Sequence, residues 1–94
     1  MNTSESIIQS RHKLGSNIKY ARKELKLSQE QLASIVGCER SFISRIEHGK
    51  CGIPFDTVLL IADGLGVSTS ALLAGIDDPP KRDGPLPINF SFPR

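Results

Sequence analysis

The sequence predicts an all-α domain of five helices with a Pro-rich, extended C-terminal tail. Three observations carry that fold class. Apolar residues recur at steps of three and four over residues 8–76, the period of a helix with one buried face. Ser-x-x-Gln pairs stand near the start of two of these runs, as capping boxes do. Five of the six prolines fall in residues 77–94, where helix cannot persist for long. No segment before residue 76 reads as a strand.

The first helix is expected from about Ile8 to Lys26. Ser6 and Gln9 form its capping box, and Leu14, Ile18, Ala21 and Leu25 form its apolar stripe. Gly15 weakens it locally. Ser28 opens the second helix, with Gln31 reaching back in a capping box, Leu32, Ile35 and Val36 as the apolar stripe, and Gly37 as the left-handed terminator. The chain restarts at once. Ile43 and Ile46, with Glu47 beside them, share one face of a third helix, and Arg40, Ser41, Ser44, Arg45 and His48 share the other, up to Gly49. A fourth helix is expected from about Phe55 to Gly64 with Val58, Leu59, Ile61 and Ala62 inward. Ser68 then caps a short fifth helix through about Ala74. In the tail, Leu86, Ile88, Phe90 and Phe92 alternate onto one side of an extended chain. Two readings of the tail stand: a disordered segment, or an arm that packs on its own domain or on a partner subunit. The domain division is 8–76 for the helical unit and 77–94 for the tail.

The totals narrow the function. The 94 residues hold enough apolar side chains, 38%, for one small core. No run approaches the roughly 18 apolar residues of a membrane span. The start, "MNTSESIIQS", has neither the basic end nor the apolar run of a secretory signal, so a cytoplasmic protein is expected. Net charge is +2, but residues 1–50 hold nine Lys/Arg against five Asp/Glu, and residues 51–94 hold three against five. A basic half beside an acidic half suits a polyanion on one face. Cys38 and Cys51 are neither a disulfide framework nor a ligand doublet. Even with His48 between them a zinc site lacks its fourth ligand, so no metal and no cofactor are expected. His12 and His48 have no matching Cys or Asp arrangement, and no Gly-rich phosphate loop appears, so catalysis is not expected.

The second and third helices, joined through Gly37, form a helix-turn-helix. The turn needs a conformation that glycine supplies and other residues resist. Burial of Ile43 and Ile46 leaves the opposite face of the third helix clear of the domain. An α-helix fits the major groove of B-DNA, where its outward side chains reach base edges.

At this point "LGSNIKYARKELKLSQEQLASIVGCERSFISRIEHGK", followed by "TVLLIADGLGVSTSALL", resembles the helix-turn-helix domain of the phage repressor and Cro family. That family is also called the xenobiotic-response-element (XRE) family. The resemblance covers about residues 14–75 and is most specific in "SQEQLA", "ISRIEHGK" and "IADGLGVSTSALL". It implies a five-helix, lambda-repressor-like domain that binds double-stranded operator DNA as a homodimer and regulates transcription. It also implies roles for residues at matching positions. Gln29 would bond a phosphate and brace the recognition helix. Arg40 and Arg45 would read bases, and Ser41 and Ser44 would meet bases or phosphates. Lys50 would meet the backbone from the following loop, and Phe42 would pack or touch a sugar or thymine methyl. Arg22 and Glu47 would tie the first helix to the third, with Arg22 near a phosphate and Glu47 positioning the recognition helix. Leu72, Leu73 and Ile76 would form the dimer interface.

Two departures stand out. Glu39 replaces the small hydroxyl or amide cap usual at the start of the recognition helix, and either accepts from cytosine or turns away. Pro54 and Phe55 replace the common capping and aliphatic residues at the start of the fourth helix, which puts that loop's phosphate contacts in doubt.

An alternative function is an antitoxin or adaptor that uses Pro79 to Phe92 to bind a cognate protein partner. A separate ligand-sensing domain and a self-cleaving domain are expected to be absent.

Overall fold

The computed structural model describes residues 3–76, and the predicted tail, 77–94, lies outside the described residues. Among the described residues five helices succeed one another: α1 (Thr3–Glu24), α2 (Gln29–Val36), α3 (Arg40–Glu47), α4 (Phe55–Leu65) and α5 (Thr69–Leu72). Among the described residues there is no strand. Ile18, Leu32, Ile43, Ile46, Ile61 and Leu72 are fully buried, so every helix sends at least one side chain into a single core. Ala33, Val58, Ala62 and Leu65 complete it.

The ends of α1 differ from the sequence expectation. The helix begins at Thr3, more than a turn before Ile8, and Ser6 is a buried residue within it rather than its cap. It stops at Glu24, two residues before Lys26. Lys26 takes a left-handed conformation, φ 58°. Its N–H donates to the Lys23 carbonyl and that of Leu27 to the Arg22 carbonyl, at 2.9 and 3.1 Å. This is the paired closure of a Schellman motif, in which glycine is the usual residue. The turn also takes Leu25 out of the apolar stripe, and Leu25 is exposed.

The capping box on α2 is present. Gln31 N–H donates to Ser28 Oγ at 3.0 Å, and Ser28 N–H donates to the Gln31 side chain at 2.8 Å. Gly37, φ 85°, closes the helix as expected. The apolar stripe is centred on Leu32 and Ala33, not on Ile35, which is exposed. Ile35 sits instead over the edge of α4. A β-carbon on Gly64 would come within 2.9 Å of its methyl. Gly64 is therefore a contact inside α4, and the helix runs past the expected end at Gly64 to Leu65, with Gly66 as its left-handed cap. Leu59 is exposed, contrary to expectation, because Val58, Ile61, Ala62 and Leu65 define the buried stripe of α4. Ser68 accepts a cap bond from Ala71 N–H at 3.1 Å, but α5 is a single turn that ends at Leu72 rather than near Ala74. Asn17 ties the end of α5 and the turn after it to α1, donating from its amide to the carbonyls of Leu72 and Ala74 at 2.7 and 2.8 Å.

Gly15 has a different role from the one its type suggests. A β-carbon there would lie 2.3 Å from the Ile46 carbonyl oxygen and 2.8 Å from that of Glu47. The glycine lets the backbone of α1 rest directly on the last turn of α3.

Candidate nucleic-acid interface

The position of α3 is set by its two faces. Ile43 and Ile46 are fully buried, which turns Arg40, Ser41, Arg45 and His48 outward, with Ser44 half-buried among them. Arg45 leans over the Phe42 ring, 5.7 Å from its centroid. That cation–π contact one turn apart restrains both side chains at the exposed face. His48 Nδ1 donates to the Ser44 carbonyl at 2.7 Å, which leaves Nε2 directed away from the helix backbone. Glu39 occupies the N-cap of α3 and makes no side-chain cap bond. Its carboxylate is exposed beside the positive end of the helix dipole.

Beneath this face lies a buried ionic brace. Arg22 Nε donates to Glu47 Oε2 at 2.7 Å and Nη2 to Oε1 at 2.9 Å, the two-pronged geometry a guanidinium and a carboxylate share. Arg22 Nη1 donates to the Leu27 carbonyl at 2.7 Å, tying the α1–α2 turn into the same unit. Gln29 then donates to Glu47 Oε1 at 3.1 Å from the first residue of α2. Three helices thus meet on one carboxylate. Burial pushes the Glu47 acid up, but the bonds from Arg22 and Gln29 and the charges of Arg22 and Lys19 prevail, holding it below the usual carboxylate range. The hydrogen bond to Glu47 raises the Arg22 pKa against the opposing effect of burial.

The predicted site residues therefore separate by place. Arg40, Ser41, Ser44 and Arg45 share the outward face of α3, and Lys50 is exposed in the loop after it. Gln29 and Glu47 meet in the brace. Arg22 joins them there, paired with Glu47. It is buried, and its guanidinium is aimed at Glu47 and Leu27. Of the three residues named for a dimer face, Leu72 is 1% exposed and is spent in the monomer's own core, while Leu73 and Ile76 retain surface. Burial, with the nearby charge of Glu39, pushes the Cys38 thiol up, away from reactive thiolate. Among the described residues no group of His, Cys, Asp and Glu is arranged to hold a metal. None of their helices is long and apolar enough to cross a membrane.

Sequence reasoning did not find Gly15 or Asn17 as parts of this scaffold. For Gly15 the signal was a lone glycine inside a strong helical pattern, which marks either a weak point or a close approach. Only the neighbour of α1 decides between the two.

A buried brace beneath an outward polar helix, preceded by a capped helix and a left-handed glycine, is a helix-turn-helix arrangement. The helix-turn-helix domain family matches residues 15–78, more than half of the chain. The chain belongs to the helix-turn-helix family. It is of the phage-repressor and Cro type, a family of DNA-binding transcription regulators. It is 37% identical over 60 residues to the immunity repressor protein of Bacillus phage phi105, covering 64% of this chain and 42% of that one. The chain thus spans less than half the length of that repressor. Control protein C.MunI from Mycoplasma sp is 35% identical over 66 residues, 69% of this chain and 89% of that protein. Among solved structures, the restriction-modification controller protein C.AhdI from Aeromonas hydrophila superposes with a TM-score of 0.65 at 29% identity, over 66% of this chain and 94% of the controller. This helix-turn-helix domain therefore has relatives in two regulatory settings, phage immunity and control of restriction–modification.

Proposed function

We propose that the chain is a sequence-specific transcription regulator, of repressor or controller type, that binds a two-fold symmetric operator as a homodimer. In this reading α3 lies in the major groove. Arg40 and Arg45 are the base readers, each able to donate two bonds to a guanine edge, worth about 1–3 kcal/mol of discrimination when well placed. Ser41 and Ser44 meet bases or phosphates beside them. Gln29 and Lys50 hold the backbone on either side. Glu47 and Arg22 fix the angle at which α3 leaves the domain, and the pair orients Arg22 near a phosphate. The DNA-binding unit is residues 8–76, extended at its start by the first turns of α1, with 77–94 a separate segment.

The observation that carries the reading is the brace. A carboxylate taken out of water and shared by α1, α2 and α3 fixes the recognition helix while Arg40, Ser41 and Arg45 remain exposed on its outer face. The relatives, a phage repressor and restriction–modification controllers, support a regulator of this class. A domain this small makes few phosphate contacts, so two subunits on two half-sites supply the affinity. Leu73, which is exposed, and Ile76, which is half-buried, are the candidates for that contact.

Selection from a random duplex pool tests the proposal, with wild type and an Arg40→Ala, Arg45→Ala double variant run in parallel near physiological salt. A palindromic motif recovered by wild type and lost in the variant is the expected result. A pool without a motif, or one that both proteins enrich equally, refutes sequence-specific reading by α3.

A further inference from the structure

The first turns of α1 lie before the region that matches the family, and they run alongside the chain beyond α3. Gly15 rests on the carbonyls of Ile46 and Glu47. One turn earlier, His12 lies against Gly49, where an added β-carbon would be 2.6 Å from Nδ1. Next to it, Arg11 lies against Gly52, its Nη2 3.1 Å from the place of a β-carbon. As α1 is traced backwards, its neighbours run forwards from the recognition helix into the α3–α4 loop. The two small residues of that loop are what let Arg11 and His12 come so close.

The charge at this place is one-sided. Lys50 is exposed between the two glycines, and His48 stands one residue before them. The nearest acid along the loop is Asp56, in the first turn of α4. Glu47, on the other side, is occupied by Arg22 and Gln29. Among the described residues Arg11 has no hydrogen-bond or ion-pair partner of its own. It is half-buried against a bare glycine. A guanidinium held by packing on a backbone segment, with its donors unspent, suits a phosphate oxygen.

We infer that Arg11 is a DNA-backbone contact. The early turns of α1 place it over the α3–α4 loop, so that it binds the same strand of phosphates as Lys50 and extends the footprint beyond the recognition helix. His12 packs on Gly49 and sets the register of α1 on the loop. The contact carries no sequence information, because phosphates are alike at every base pair. It adds affinity and salt dependence. This inference rests on α3 as the DNA-facing helix.

The test compares wild type, Arg11→Gln, Arg11→Lys and Arg40→Ala on a duplex recovered by selection and on a scrambled duplex, over a range of salt. Each phosphate contact contributes a slope of about −0.9 to the dependence of log affinity on log salt. Arg11→Gln should therefore bind both duplexes more weakly and lower the slope by about one. Its deficit relative to wild type should narrow about threefold between roughly 50 and 200 mM salt. Arg11→Lys should restore the slope, and Arg40→Ala should lose preference for the selected duplex. An unchanged slope in Arg11→Gln, with wild type binding normally, overturns the inference and leaves the reading of α3 intact. A loss confined to the selected duplex also overturns it, since Arg11 would then act through base recognition. If wild type binds no duplex, the DNA-facing role of α3 fails and this contact fails with it.

Discussion

Replacing Gly15 by alanine sets two physical effects against each other, and the structure decides which wins. In an isolated helix alanine is favoured over glycine by about 0.8–1.0 kcal/mol. Within the fold the new methyl would sit 2.3 Å from the Ile46 oxygen, 0.7 Å inside the 3.0 Å that real β-carbons respect. The Glu47 oxygen, at 2.8 Å, blocks the same space. Both obstacles are backbone, so no rotamer change relieves them, and α1 must move off α3. Overpacking of this kind costs about 1–3 kcal/mol. Separation of the helices also strains the bonds from Arg22 to Glu47, so the upper part of that range applies. Net destabilisation should be about 1–2 kcal/mol, or several degrees in melting temperature for a domain of this size. The measurement is urea unfolding of wild type and Gly15→Ala at one protein concentration. Circular dichroism of a peptide covering residues 3–24, with and without the substitution, accompanies it. The peptide should gain helix while the protein loses stability. A Gly15→Ala protein as stable as wild type, or more so, would show that α1 and α3 do not meet through this glycine.

Glu47→Ala leaves the buried Arg22 guanidinium without its carboxylate and should destabilise the domain by about 3–5 kcal/mol, whereas the paired change Arg22→Met, Glu47→Leu should recover most of that loss. A double-mutant cycle by denaturant unfolding measures the coupling, and additive single effects would contradict the brace. Because the folded protein holds the Glu47 acid below its usual range, its contribution to stability is full above an unfolded value of about 4.3 and is lost as pH falls through the lower folded value. Unfolding free energy of Glu47→Gln should therefore fall less steeply than that of wild type in this acid window; parallel pH profiles would argue against the assignment. Lys26→Gly removes a side chain from a left-handed position, φ 58°, and should stabilise by roughly 0.5–1 kcal/mol, since the strain relieved exceeds the added freedom of the unfolded chain. A destabilised Lys26→Gly variant would mean that the lysine makes a compensating interaction.

The helices with strong local signals were readable from the sequence. Ser28 with Gln31, and Gly37 behind them, specify the ends of α2 through bonds that involve only near neighbours in the chain. The pairing of Ile43 with Ile46 likewise specifies which face of α3 turns inward, and with it the outward set Arg40, Ser41, Ser44 and Arg45. The start of α1 was not readable in this way, because Ser6 and Gln9 have the spacing of a capping box while lying inside a helix that begins at Thr3. Leu25, Ile35 and Leu59 fit the apolar period but are exposed. A period identifies residues able to face a core, and the neighbouring helices determine how wide the covered stripe is.

What the sequence by itself determined is the local grammar of five helices and the chemistry displayed on the third. Caps, left-handed glycines and apolar spacing act over a few residues, so they can be read from a few residues. Tertiary structure alone decided the rest. It placed Arg22 below the surface as a brace, assigned Leu72 to the monomer's own core, and made Gly15 a point of contact instead of a flaw. It also brought Arg11 to the loop after α3. Each of these depends on which backbone lies opposite, and a distance between segments remote in sequence is set by the packing of the whole core.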